Sequence, residues 1–218
     1  MRKTIYSVVL ICTALMLNAC GKLGNALNGV AEYPTDKATS YEKALAVVKE
    51  KLELDKVKVF SVQFMEKDEL SNDLGNVLLS MVNQDNHAYS QVFGLDGTVG
   101  KISEYESLAD IVNYDDIKGI DITKINPTEI EGNISEAKKL LPEKHTFKTV
   151  MYYDIKEVLP SPSELSNKGR DIGSQKTTLV VGFTEDGKEI ESSAGEESIV
   201  YYKAEMTVNP DGTVSVEQ

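Results

Sequence analysis

The feature that most constrains the fold is an order of elements that occurs twice along the chain. Thr39 followed by Glu42 forms a capping-box pattern, and Tyr41, Ala44, Leu45, Val48 and Leu52 recur at helical spacing from about Ser40 to Leu54. Val57 to Met65 then reads as a β-branched and aromatic strand, followed by strands over Asn76 to Asn83, His87 to Phe93 and Val99 to Tyr105. Asp96-Gly97 supplies a tight turn before the last of these. Thr128 and Glu131 repeat the capping pattern, with Ile130, Ile134, Ala137 and Leu141 on one helical face. Phe147 to Ile155, Thr177 to Phe183 and Ile199 to Val208 read as strands, and Asp211-Gly212-Thr213-Val214 echoes Asp96-Gly97-Thr98-Val99.

Offsets along the chain sharpen this. Thr128 follows Thr39 by 89 residues and Phe147 follows Val57 by 90, whereas Asp211 follows Asp96 by 115. The second unit therefore carries about 26 extra residues, and they fall in Leu159 to Gln175 and Thr184 to Glu197, both rich in turn-forming residues. The expected fold class is α+β, a tandem repeat of a helix packed on an antiparallel sheet of three to four strands. The first αβ repeat spans 38–108, an acidic, solvated connector 109–126, and the second repeat with its insertions 127–218.

The chain opens on a different pattern. Arg2 and Lys3 precede an apolar run from Ile5 to Leu17, too short for a membrane span of about 20 residues, and Leu17-Asn18-Ala19-Cys20 closes it. These residues resemble the signal and lipobox of bacterial lipoproteins. The resemblance implies a signal peptide over 1–19, removal of that peptide, and lipidation of Cys20 by a diacylglyceryl thioether and an acyl chain of the palmitate kind. Two or three such chains, at about 0.8 kcal/mol per buried methylene, hold a protein stably on a bilayer. Residues 20–37, in which Gly21-Lys22-Leu23-Gly24 follow Cys20, are expected to form a flexible tether. By the same family's rules Gly21, in place of an aspartate, favours the outer membrane, and the absence of acids just behind Cys20 favours its periplasmic face.

Composition excludes several activities. Cys12 lies in the signal and Cys20 is lipidated on this reading, so no thiol remains for a disulfide, metal or nucleophile. Loss of Arg2 and Lys3 takes the net charge from −12 to −14, which opposes binding to nucleic acid. His87 and His145 stand in no zinc spacing, and no serine sits in a Gly-x-Ser-x-Gly elbow or a Ser-x-x-Lys context. Asp115, Asp116 and Asp121 cluster in the connector without an EF-hand pattern. No catalytic residue, metal site or cofactor is expected.

The element order over residues 38 to 216 looks like the PepSY-type modules of envelope proteins and is similar in outline to the secreted β-lactamase inhibitor protein. That likeness implies a protein that binds other proteins or restrains enzymes. Candidate partner-binding residues are Tyr152, Tyr153, Tyr201 and Tyr202, two adjacent pairs in second-repeat strands. Alternation sends one of each pair to the core and the other outward, and the outward ones meet if their strands are neighbours. The expected function is a membrane-anchored, non-enzymatic binding module for an envelope protein, peptide or glycan. The alternative is a carboxylate- or metal-dependent hydrolase whose site residues are dispersed in sequence. A concave pocket with two or more carboxylates and a histidine favours the second.

Overall fold

The computed structural model describes residues 31–105, 112–161, 163–193 and 196–217. The signal, Cys20 and the start of the tether lie outside the described residues. The elements run α1 (Ala38–Lys51), β1 (Val57–Glu66), β2 (Leu74–Asn83), β3 (Ala88–Gly94), β4 (Ser103–Glu104), α2 (Pro127–Lys139), β5 (His145–Glu157), the one-turn α3 (Glu164–Asn167), β6 (Gln175–Glu185), β7 (Ile190–Ser193), β8 (Glu196–Ile199), β9 (Tyr202–Val208) and β10 (Val214–Val216).

The class is α+β, and a single antiparallel sheet of eight strands dominates it, in the order β10-β9-β6-β5-β1-β2-β3-β4. Two separate helix-on-sheet units, each with its own sheet, are not what forms. β1 pairs directly with β5, from Ser61 against Lys156 to Met65 against Tyr152, so the core is continuous. The strand alternation explains its composition. Val62 and Phe64, Leu79 and Met81, Tyr153, Leu179 and Val181, and Ala204 and Met206 all face α1 and α2 in one buried cluster. Tyr41 of α1, fully buried, crosses Phe64 edge-on at 5.1 Å and Tyr153 at 6.2 Å, and its hydroxyl donates to the Thr35 carbonyl at 2.6 Å.

Neither expected capping box forms. Residue Lys37 is the N-cap of α1 and caps nothing with its side chain; the first amide, that of Ala38, donates instead to Glu131 Oε2 of α2 at 2.9 Å. Asn126 caps α2 by accepting from the Thr128 amide at 3.0 Å, with Pro127 in the first turn, where its missing N–H costs nothing. Glu131 thus caps the neighbouring helix rather than its own. That bond, aided by Lys37, holds its carboxyl below the usual carboxylate range.

The connector differs from a solvated linker. Val112, Ile117, Ile120 and Ile122 are buried, and the carboxylate of buried Glu157 accepts from the amides of Lys118 (3.0 Å) and Gly119 (2.7 Å). Ile120 donates its amide to the Val59 carbonyl, and Gly119 takes φ +84°, open to glycine without strain. The last tether residues also join the fold. Pro34 bridges to Asp73, and Thr35, fully buried, donates its hydroxyl to Asn72 and accepts from the Val150 amide. Within the second insertion, Thr184 and Glu185 complete β6, while β7 and β8 form a separate two-stranded sheet.

Both Asp-Gly turns form, with the same bonds. Asp96 Oδ1 accepts from the Thr98 amide and hydroxyl at 2.9 and 2.7 Å, and Asp211 Oδ1 from those of Thr213 at 3.0 and 2.6 Å. Gly97 and Gly212 sit at φ +89° and +80°.

Candidate functional site

At one end of the sheet an opening lies between α2, the connector and the strands. The gap is a groove of about 790 Å³, bounded by the first turns of α2, the connector and the β9–β10 turn. Its floor is apolar, made by Ile120, Ile155, Val208 and the ring of Tyr153, while Asp121, Glu129, Asn133 and Asp211 stand among its polar groups. The volume lies in the range of ordinary ligand sites.

Tyr153 is the buried polar group of this floor. Only 3% exposed, it accepts a hydrogen bond from Asn133 Nδ2 at 2.9 Å, and its own O–H has no acceptor among the described residues. Burial pushes the hydroxyl up to about 12, with the charge of Glu129 adding and the Asn133 bond opposing. The hydroxyl is therefore a neutral donor throughout the physiological range. Two of the acids are partly engaged. Asp121 Oδ1 accepts from Thr123, with Lys124 at 3.2 Å from its other oxygen, and Asp211 Oδ1 is held by Thr213. Those bonds keep both carboxyls below the usual range. Asp115 and Asp116 lie apart on a one-turn helix over Tyr114–Asp116, and no group of three potential ligands fit to hold a metal occurs among the described residues.

The opposite end of the sheet is closed. The β1–β2 loop folds back over β6 through Leu70, which is 2% exposed and clusters with Ile199, Tyr201 and Met151. Leu70 takes φ +59° and Asn72 φ +54°, left-handed conformations costly for a leucine. Beside them Glu66 accepts from the Thr149 hydroxyl at 2.7 Å, and the Tyr201 hydroxyl donates to Glu69. Burial pushes Glu66 up to about 7 and Glu69 adds to the rise, while the Thr149 and Leu70 donors and Lys203 oppose it.

The four candidate tyrosines do not meet in one patch. β6 separates β5 from β9, so the two pairs are not on adjacent strands. Tyr153 faces the helices, and Tyr152 stands half-buried on the other side of the sheet, its hydroxyl raised by burial and by Glu205, Asp154 and Glu217. Tyr201 is buried in the closed end. Tyr202 stacks on Phe183 at 5.7 Å, with His145 edge-on at 5.6 Å. Sequence reasoning missed Asn133 and Glu129, and their spacing of one helical turn on the helix that follows the connector was the available signal. Neither histidine reaches the groove; His87 lies beside the β2–β3 turn, its amide donating to Asn83 Oδ1.

No protein-family model, curated protein or solved structure matches this chain.

Proposed function

We propose that the protein is a lipid-anchored envelope lipoprotein, acylated at Cys20, whose folded part is a non-enzymatic binding module for a protein, peptide or glycan. The observation that carries this is the groove: an apolar floor, a polar rim and one buried hydroxyl with a proton to give. Such a surface binds by shape and hydrogen bonding. A hydrolytic site calls for an acid and base poised together. Here Asp121 and Asp211 each spend an oxygen on a turn, and the groove contains no histidine among its described lining.

The same proposal takes the sheet as two copies of one unit, α1-β1-β2-β3-β4 and α2-β5-β6-β9-β10, joined antiparallel at β1 and β5, with β7–β8 and the Val158–Ser174 segment as insertions in the second copy. The matching Asp-Gly turns support it. The groove then lies between the connector and the second copy, and Gln175 and Thr177, at the start of β6 just after the first insertion, line it.

Two experiments test the proposal. Cys20→Ala is expected to move the protein from the membrane to the soluble fraction; retention on membranes overturns the anchor. A photo-crosslinking residue at Thr177 is expected to capture a specific envelope partner in intact cells, and capture of none overturns the binding module.

A further inference from the structure

The charges around the groove are unbalanced. Asp121, Glu129 and Asp211 face Lys124 alone, and Lys124 is already paired with Asp121. Glu129 and Asp211 enter no ion pair among the described residues. Glu129 is exposed on the first turn of α2, one helical turn from Asn133, while the second oxygen of Asp211, on the β9–β10 turn, has no hydrogen-bond donor among the described residues. The aliphatic floor and the Tyr153 hydroxyl line the same groove as the two acids. A ligand that satisfies all of these needs an apolar group for the floor, an acceptor for the Tyr153 proton and a cation for the rim.

We propose that the groove receives an extended segment of a partner protein, in which an aliphatic side chain seats on Ile120, Ile155 and Val208, a backbone carbonyl accepts from Tyr153, and a neighbouring Lys or Arg lies between Glu129 and Asp211. This rests on the binding-module reading and specifies the chemistry of its partner. Charge complementarity selects the sign: an acidic or phosphorylated segment meets two unpaired carboxylates, and a neutral glycan leaves them unpaired.

The test uses the full chain labelled at isoleucine methyls and titrated with three tetrapeptides, acetyl-Ile-Arg-Ile-Arg-amide and its Gln and Glu counterparts, and with maltotriose as a neutral glycan. The Arg peptide is expected to shift the methyls of Ile120, Ile125, Ile130 and Ile155, the isoleucines that line the groove. It should bind about fivefold more tightly than the Gln peptide at low salt, an advantage lost in 1 M salt. Glu129→Gln with Asp211→Asn should abolish that preference, and Tyr153→Phe should weaken the Arg and Gln peptides alike by several-fold. Equal binding of the Arg and Glu peptides, shifts at other isoleucines, tighter binding of maltotriose, or no shift at all overturns the inference. The crosslinking experiment reads the module separately. A captured partner together with no preference for the Arg peptide leaves the module standing and removes the basic segment.

Discussion

The two ends of the sheet use the same kinds of residue to opposite effect. Each has a buried tyrosine with a glutamate nearby: Tyr153 and Glu129 at the groove, Tyr201 and Glu69 at the closed end. At the closed end the β1–β2 loop accepts two left-handed residues in order to lay Leu70 over β6, and the carboxyl of Glu66 is taken out of water behind it. At the groove nothing described folds over the strand ends, and the tyrosine keeps an unused proton. The lesson is a division of labour. One end is packed over by Leu70 and spends the Tyr201 hydroxyl on Glu69, while the other keeps an open groove and the Tyr153 proton and is free to bind.

Titrating Glu66 breaks the comparison most sharply. Its carboxyl rises from an ordinary 4.5 to about 7 on folding. The folded chain therefore holds a proton that the unfolded chain has already released between those values. The stability this contributes is fully present below about pH 4.5, is lost as pH rises to about 7, and is then level, a change on the order of 3 kcal/mol. Glu66→Gln is expected to remove that slope in melts between pH 5 and 8. An unchanged slope means Glu66 is not the buried group.

The next effect is steric. A side chain at Gly182 meets Leu70 Cδ2 at 3.0 Å and Thr149 Cγ2 at 3.1 Å. Gly182→Val should cost about 1–3 kcal/mol by prising the loop from β6, whereas Thr177→Val in the open groove should stay within about 0.5 kcal/mol. Chemical denaturation of the two variants side by side measures the difference, and equal costs mean the ends are packed alike. A smaller change than at Gly182 is expected from Tyr153→Phe. Losing the Asn133 bond should cost only about 1 kcal/mol, because Asn133 is half-exposed and water replaces its partner. A much larger loss in the same denaturation assay means the hydroxyl serves the core rather than the groove.

Much of the strand content was legible because alternation and turn chemistry are local. Val57–Glu66 and Gln175–Glu185 lie close to their expected spans, and both Asp-Gly turns form because glycine alone enters their left-handed position without strain. The helix starts were less so. Thr39 and Glu42 have the capping pattern, yet the backbone before α1 is held by Thr35 and Asn72, and a glutamate 93 residues away takes the orphan amide of Ala38. The connector misled through its aspartates, since Ile117, Ile120 and Ile122 beside them were the residues that decided its burial. Of the candidate site, Tyr153 was named and its partners were not. Which tyrosine meets an asparagine and which a glutamate depends on strand order, and strand order is a non-local property.

By itself the sequence determined the class of the fold, the alternation within each strand and the turns, because these depend on residues a few positions apart. Tertiary structure alone decided that β1 and β5 pair to make one sheet, that Glu131 caps the other helix, that one end is sealed by Leu70, and that the other is left as a groove. Each of those joins residues dozens of positions apart, and nothing in the local pattern of either partner carries the distance between them.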